Sequence, residues 1–208
     1  MTPLAHFEDV WARCGMLSSL YAYLQGAPGG LQPDELLRSE WVARVSALDL
    51  YVHELVAQNM VLIFEGNRPA TPAYLKFMVS AETLDRIRSA GTMADASSAF
   101  DLHVRSRLSQ ITYQAPDDIA DGVRICSTIE LWNEIALKLG ANQTTKVDDA
   151  KRLKTQLSLI VRRRNIIAHE GDLQQSALRE PWPIARPDLD FVSFQIDRIV
   201  RAMDSLVA

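Results

Sequence analysis

Between Asp34 and Phe64 apolar residues return at every third or fourth position: Leu37, Trp41, Val45, Leu48, Val52, Leu55, Val56 and Met60. That spacing draws one apolar face along a long helix, which has to be buried against another element. No segment keeps the period-two alternation of a strand for long. Without strands the fold is helix packed on helix, so the expectation is all-α: a single-domain bundle of about six or seven helices. Helical stretches are predicted over 3–24, 33–65, 71–89, 93–114, 117–139, 146–170 and 188–206.

The breaks between these stretches are rich in turn residues. Gly26 to Asp34 (GAPGGLQPD) reads as a flexible Gly-rich loop, and Gly66 to Pro72 (GNRPATP) and Gly140 to Thr145 (GANQTT) also read as turns. Pro116, followed by Asp117 and Asp118, suits a helix start. Pro181 to Asp188 (PWPIARPD) reads as extended loop, because closely spaced prolines oppose helix. Residues 1–208 are therefore expected to form one domain, with a core over roughly 33–206 and the helix at 3–24 packed on it.

Composition narrows the function. Of 208 residues, 48% are hydrophobic and 23% charged, enough for a globular core. The net charge of −4 means that any nucleic-acid contact must be local rather than spread over a basic face. Cys14 and Cys126 are far apart and form no metal spacing; two lone cysteines fit reduced thiols in the cytoplasm, with one disulfide as the alternative. The start, MTPLAHFEDVWARCG, lacks the basic and apolar segments of a signal peptide. No run of 18 apolar residues occurs, so no membrane span is expected; the run Met60 to Phe64 reads as a buried helix end.

The stretch that carries chemistry is Arg162 to Asp172, RRRNIIAHEGD, at the end of the helix predicted over 146–170. Thr144 or Thr145 can cap its start, Asp148 and Asp149 suit its first turn, and Gly171 suits its end. At about 100° per residue, Ala150, Leu153, Leu157, Ile160 and Val161 form a core stripe. Arg164 falls on that stripe. An unpaired buried arginine is costly, so Arg164 is expected to snorkel to water, face a polar cleft or face a partner subunit. The opposite stripe is polar: Lys151, Thr155, Ser158, Arg162, Asn165 and His169. Asn165 lies four residues before His169 and can orient its ring. Histidine exchanges protons near neutral pH, and arginine offers forked donors to phosphate oxygens. The plain alternative is a solvated basic helix end whose histidine caps carbonyls.

The string Arg164-Asn165-Ile166-Ile167-Ala168-His169 resembles the arginine–polar–histidine signature of the HEPN superfamily. The longer IVRRRNIIAHEGD, and ALDLYVHELV from Ala47 to Val56, are similar to its branch associated with ribosomal L-PSP genes. The resemblance implies a HEPN-like helical domain acting as a metal-independent endoribonuclease, with no cofactor and no metal. It implies a homodimer, in which two copies of this helix face each other over one composite cleft. RNA would be the substrate, cut by attack of the ribose 2′-hydroxyl on the adjacent phosphate, in defence or stress response. An antitoxin or operon-encoded regulator would be a further partner, and no membrane would be involved. Implied catalytic residues are Arg164, His169 and Asn165. Arg162, which lies on the same face as His169, and Arg163 remain secondary candidates, because the family's spacing varies. Glu170 and Asp172 are weaker candidates as helpers of the histidine, the plain alternative being exposed acids at a helix end. A different class of function is a catalytically silent interaction module that dimerises or binds a partner protein; an RNA binder without catalysis is a third.

Other constellations are read structurally. Asp49 and His53 make a pair with no third ligand, too few for zinc. His6 and His103 lack partners that would make them catalytic. Trp11, Trp41 and Trp132 fit helix cores, and Trp182 fits packing of the proline loop.

Overall fold

The computed structural model describes residues 1–26 and 33–208. Among them the secondary structure is helical: α1 (Pro3–Gln25), α2 (Asp34–Phe64), a 3-10 turn (Tyr74–Lys76), α3 (Ala81–Arg88), α4 (Met93–Leu108), α5 (Pro116–Cys126), α6 (Leu131–Lys138), α7 (Lys146–Glu170) and α8 (Arg186–Val207). The protein is an all-α helical bundle. Its extended pairing among the described residues is the bridge between Leu173 and Pro181. The Gly-rich loop read at Gly26–Asp34 falls largely on 27–32, outside the described residues.

α2 is the axis of the bundle and touches α1, α4, α5, α7 and α8. Its burial exceeds the single apolar face read from the sequence. Ala47, Leu48, Tyr51, Val52, Leu55, Val56 and Ala57 are all fully buried, and at about 100° per residue they spread over more than half of the helix circumference. By length and apolarity α2 is the one helix among the described residues that could cross a membrane, but 56% of its most apolar window is buried inside the bundle. A core helix satisfies the same length test by being wrapped in other helices. Phe7 of α1 stacks on Trp11 and meets Tyr51 edge-on, which joins α1 to the same core.

Three expected helices are interrupted, the first at a local cap and the other two by tertiary contacts. The stretch 71–89 divides before α3, where Ser80 is extended and its Oγ accepts the Thr83 N–H, a cap that starts a new helix. Phe77, in the gap, turns its ring edge-on to Phe100. The stretch 93–114 stops at Leu108, because residues beyond it bring the Tyr113 N–H to Asp49 Oδ1 at 2.5 Å and bury Tyr113. The stretch 117–139 divides after Cys126: Ser127 is extended, and the Thr71 hydroxyl donates to the Ile125 carbonyl at 2.7 Å, taking an acceptor a longer helix would have used. The loop expected over Pro181–Asp188 ends earlier than read, since α8 already starts at Arg186. Pro187 sits in its first turn, where a missing N–H loses nothing, and the Ala185 N–H donates to Asp188 Oδ2. Cys14 and Cys126 are both free and buried, and burial pushes the Cys126 thiol up to about 12.

Gly122 of α5 marks the tightest helix approach. A Cβ there would stand 2.6 Å from the ring of Tyr113, which is itself buried. Alanine would gain about 1 kcal/mol of helix propensity. It would lose about 1–3 kcal/mol by overpacking against a ring with no room to move. Overpacking wins, so Gly122→Ala is expected to lower the midpoint of urea unfolding without changing its slope; an unchanged or higher midpoint would show that Tyr113 can shift.

Candidate functional site

α7 carries the candidate residues, and its two stripes fall where the sequence puts them. Ala150, Leu153, Leu157, Ile160 and Val161 are buried. Lys151, Thr155, Ser158, Arg162, Asn165 and His169 are all exposed. Thr145 holds the N-cap position, but among the described residues no side chain caps the first turn; Asn142 Oδ1 accepts the Thr144 and Thr145 N–H groups at 2.9 and 3.0 Å in the turn before it. The helix end is as read, with Gly171 left-handed at φ 66°.

The three arginines go to three different places, since successive residues diverge by about 100°. Arg162 points to solvent beside a cleft lined by α5, α6 and α7. Arg163 turns toward α2. Its Nη2 donates to Asp172 Oδ2 at 2.7 Å, and its guanidinium lies 5.9 Å from the centre of the Trp41 ring. Arg164, on the core stripe, snorkels. Its Nε is buried without a partner among the described residues, while its Nη1 reaches Asn165 Oδ1 at 2.9 Å near the surface.

That last contact changes the expected role of Asn165. Its carbonyl oxygen is taken up by Arg164 rather than aimed at His169. His169 is exposed in the last turn, and no hydrogen bond joins it to Arg164 or Asn165 among the described residues. Within one chain, therefore, Arg164 and Asn165 come together and His169 stands apart. Five helical residues separate their directions by about 140°. Glu170 is exposed.

Asp172 is not the exposed acid of the plain alternative. It is fully buried and left-handed at φ 57°, and its Oδ2 accepts from Arg38 Nε at 2.9 Å as well as from Arg163. Arg38 also donates to the Trp182 carbonyl at 2.7 Å, and the Trp182 N–H donates to the Asp172 carbonyl at 2.8 Å. The loop after α7 is thus fastened by backbone and side chain to the start of α2. A small apolar cluster of Tyr21, Leu37, Ile184 and Leu189 packs behind it. Arg38 is the residue that sequence reasoning missed. With Glu35 three residues before it, it looks like half of a surface helix pair, and that contact does exist at 2.9 Å. Nothing local signals a partner 134 residues away. Trp182 is 45% exposed, and it is its backbone that ties down the proline loop.

The pair read at Asp49 and His53 is present at 3.6 Å, and Asp49 is occupied by Tyr113 and Gln114. No third metal-ligating side chain joins them among the described residues. His103 bonds Thr83 and the Met78 carbonyl, which joins α3 to α4.

The buried carboxylate is the point to test. Asp172→Asn keeps the shape and tolerates the left-handed backbone, but it leaves Arg38 buried without that counter-charge. Breaking one side of a buried ion pair costs about 3 kcal/mol or more. For a chain of this size, that is expected to lower the melting temperature by about 6–12 °C, read by calorimetry. A melt within about 2 °C of the parent, under 1 kcal/mol by the same scale, would mean that Asp172 does not hold the loop.

Compared with known proteins, the chain matches no family model, no curated protein and no solved structure.

Proposed function

We propose that the protein is a metal-independent endoribonuclease of HEPN type that works as a homodimer. The observation that carries this is the division of labour at the end of α7. Arg163 is consumed by Asp172 in holding the loop. Arg164 is left with its guanidinium at the surface against Asn165, and His169 stands exposed on the fastened end of the same helix. A guanidinium whose head reaches the surface with no acid paired to it among the described residues, and an exposed imidazole, are groups that phosphodiester cleavage can use. The resemblance of Arg164 to His169 to the HEPN signature supplies the reaction class.

The reaction is an internal transesterification. The 2′-oxygen bonds to the adjacent phosphorus while the bond from phosphorus to the 5′-oxygen breaks. A general base takes the 2′ proton and a general acid returns one to the leaving oxygen. The products are a 2′,3′-cyclic phosphate and a 5′-hydroxyl, with no water consumed. DNA lacks the attacking hydroxyl and is not a substrate. His169 serves as base or acid, Arg164 stabilises charge building on the phosphoryl oxygens, and Asn165 holds the guanidinium in place. Because Arg164 and His169 diverge on their own helix, the working site pairs Arg164 of one chain with His169 of a second copy across a twofold axis. The cytoplasm is the proposed location, with an antitoxin or operon-encoded protein as regulator.

The same divergence favours one other reading: a silent module in which α7 serves only to dimerise or bind a partner protein. The two separate cleanly. For the nuclease, the protein cuts single-stranded RNA in excess EDTA, and His169→Ala or Arg164→Ala lowers the rate by about 10²- to 10⁴-fold in a folded protein. Mixing the two inactive variants restores part of the activity, because a mixed dimer contains one intact composite site. Full activity in His169→Ala rejects the mechanism. A stable dimer that cuts no RNA establishes the silent module instead.

A further inference from the structure

α5, the start of α6 and α7 enclose a cleft of about 620 Å³, inside the range of about 300–1,000 Å³ usual for ligand sites. Its floor is apolar and firmly packed: Ala120, Leu131, Trp132 and Ala150 are all buried, and the Trp132 indole is tied to the Pro116 carbonyl at 2.9 Å. Its rim is charged, with four cations (Arg124, Lys151, Lys154, Arg162) against two acids (Asp117, Glu130). The local balance is therefore +2 in a chain whose net charge is −4. Two of the cations have acid partners: Lys154 with Asp117 at 2.7 Å, and Arg124 with Asp121. Lys151 and Arg162 have none among the described residues, and both are exposed on the α7 wall, with Thr155 and Ser158 between them.

These α7 residues belong to the stripe that runs on to Asn165 and His169. The line is straight. Arg162 lies about 10 Å from His169 along the axis, and Lys151 about 27 Å from it. At about 3.4 Å per stacked nucleotide, the span from Lys151 to His169 accommodates up to eight nucleotides. A cleft with an apolar floor and cations spaced along one edge suits a strand whose bases are unpaired and can turn inward while its phosphates follow the rim. A duplex keeps its bases stacked in pairs and gains nothing from that floor.

We infer that the cleft between α5, α6 and α7 binds the single-stranded RNA flanking the scissile phosphate, with Lys151 and Arg162 taking two backbone phosphates. The inference rests on the nuclease reading for the position of the cut, but the binding itself can be measured apart from it.

The test uses the full chain with His169→Ala, so that RNA stays whole, and a labelled single-stranded RNA of about twelve nucleotides, longer than the stripe. Binding is followed by fluorescence anisotropy across a salt series. Each phosphate contact to a single strand contributes about 0.7 to the salt slope, which is about fivefold in affinity at 0.1 M salt. Adding Lys151→Gln and Arg162→Gln is therefore expected to weaken binding about 25-fold and to flatten the slope by about 1.4. Arg86→Gln with Arg88→Gln, exposed on α3, is expected to leave both values unchanged. A duplex of the same sequence and a trinucleotide are expected to bind far more weakly. The inference is overturned if the His169→Ala protein does not bind the strand. It is also overturned if the Lys151/Arg162 variant binds like its parent, or if a mononucleotide displaces the strand as well as unlabelled strand does. Binding that is lost in the variant, with no cleavage by the unaltered chain, would keep the cleft and remove the nuclease. Cleavage by the unaltered chain, with binding unchanged in the variant, would do the reverse.

Discussion

Asp172 holds two guanidinium groups on one oxygen in a place closed to water, and the candidate site depends on that contact. A carboxylate with no solvent exposure is tolerable only where cations come to it. Arg38 comes from the first turns of α2 and Arg163 from the last turns of α7, so the three charges define the distance between the two helices at that end. The left-handed pair Gly171 and Asp172 turns the chain back toward α2 and lets the Trp182 backbone close the circuit. His169 sits three residues before Asp172. Its position is inherited from a network in which it takes no part.

This network also explains why three arginines stand in a row. One helix delivers consecutive side chains to directions about 100° apart, and here the directions have different demands. Arg163 meets an interior charge, Arg164 lies where the core stripe reaches the surface, and Arg162 meets water beside the cleft. At the middle position the Nη2 of Arg163 makes all three contacts, to Asp172 and to the Trp182 and Pro183 carbonyls, so one nitrogen meets both the buried charge and the loop backbone. The basic run is thus three separate solutions that happen to be adjacent.

The fold was legible where apolar spacing was long and uninterrupted. α7 has the bounds read from the sequence, and α1 and α2 differ from it by a residue at one or both ends. Legibility failed where a cap or a distant partner ended a helix that apolar spacing would have continued. The breaks at Ser80, after Leu108 and after Cys126 are set by a cap, by Asp49 and by Thr71, each acting through contacts that spacing alone does not encode. The polar stripe of α7 was legible for the same reason as its core stripe. The fate of each arginine was not. Which of the three meets a buried acid depends on Arg38, and Asp172 looks like an ordinary exposed acid after a glycine until the fold closes around it.

The charge pattern ties these points together. Many of the arginines elsewhere are neutralised by acids a turn or a helix away, as with Arg105 against Asp101 and Glu54, and Arg201 against Asp197 and Glu8. α7 carries seven of the chain's 22 basic residues against three acids, and among the described residues Lys146, Lys151, Arg162 and Arg164 form no ion pair, although acids outnumber bases in the chain, 26 to 22. Surface pairs contribute little stability, so leaving the exposed Lys151 and Arg162 unpaired costs the fold almost nothing. It leaves positive charge concentrated along one helix of an acidic protein. On the proposed reading that local charge would attract a polyanion to α7, and the attraction would weaken as salt screens it. A protein that was basic all over would hold RNA everywhere; in the proposed nuclease the charges would instead guide a strand along α7 toward the end that Asp172 fastens.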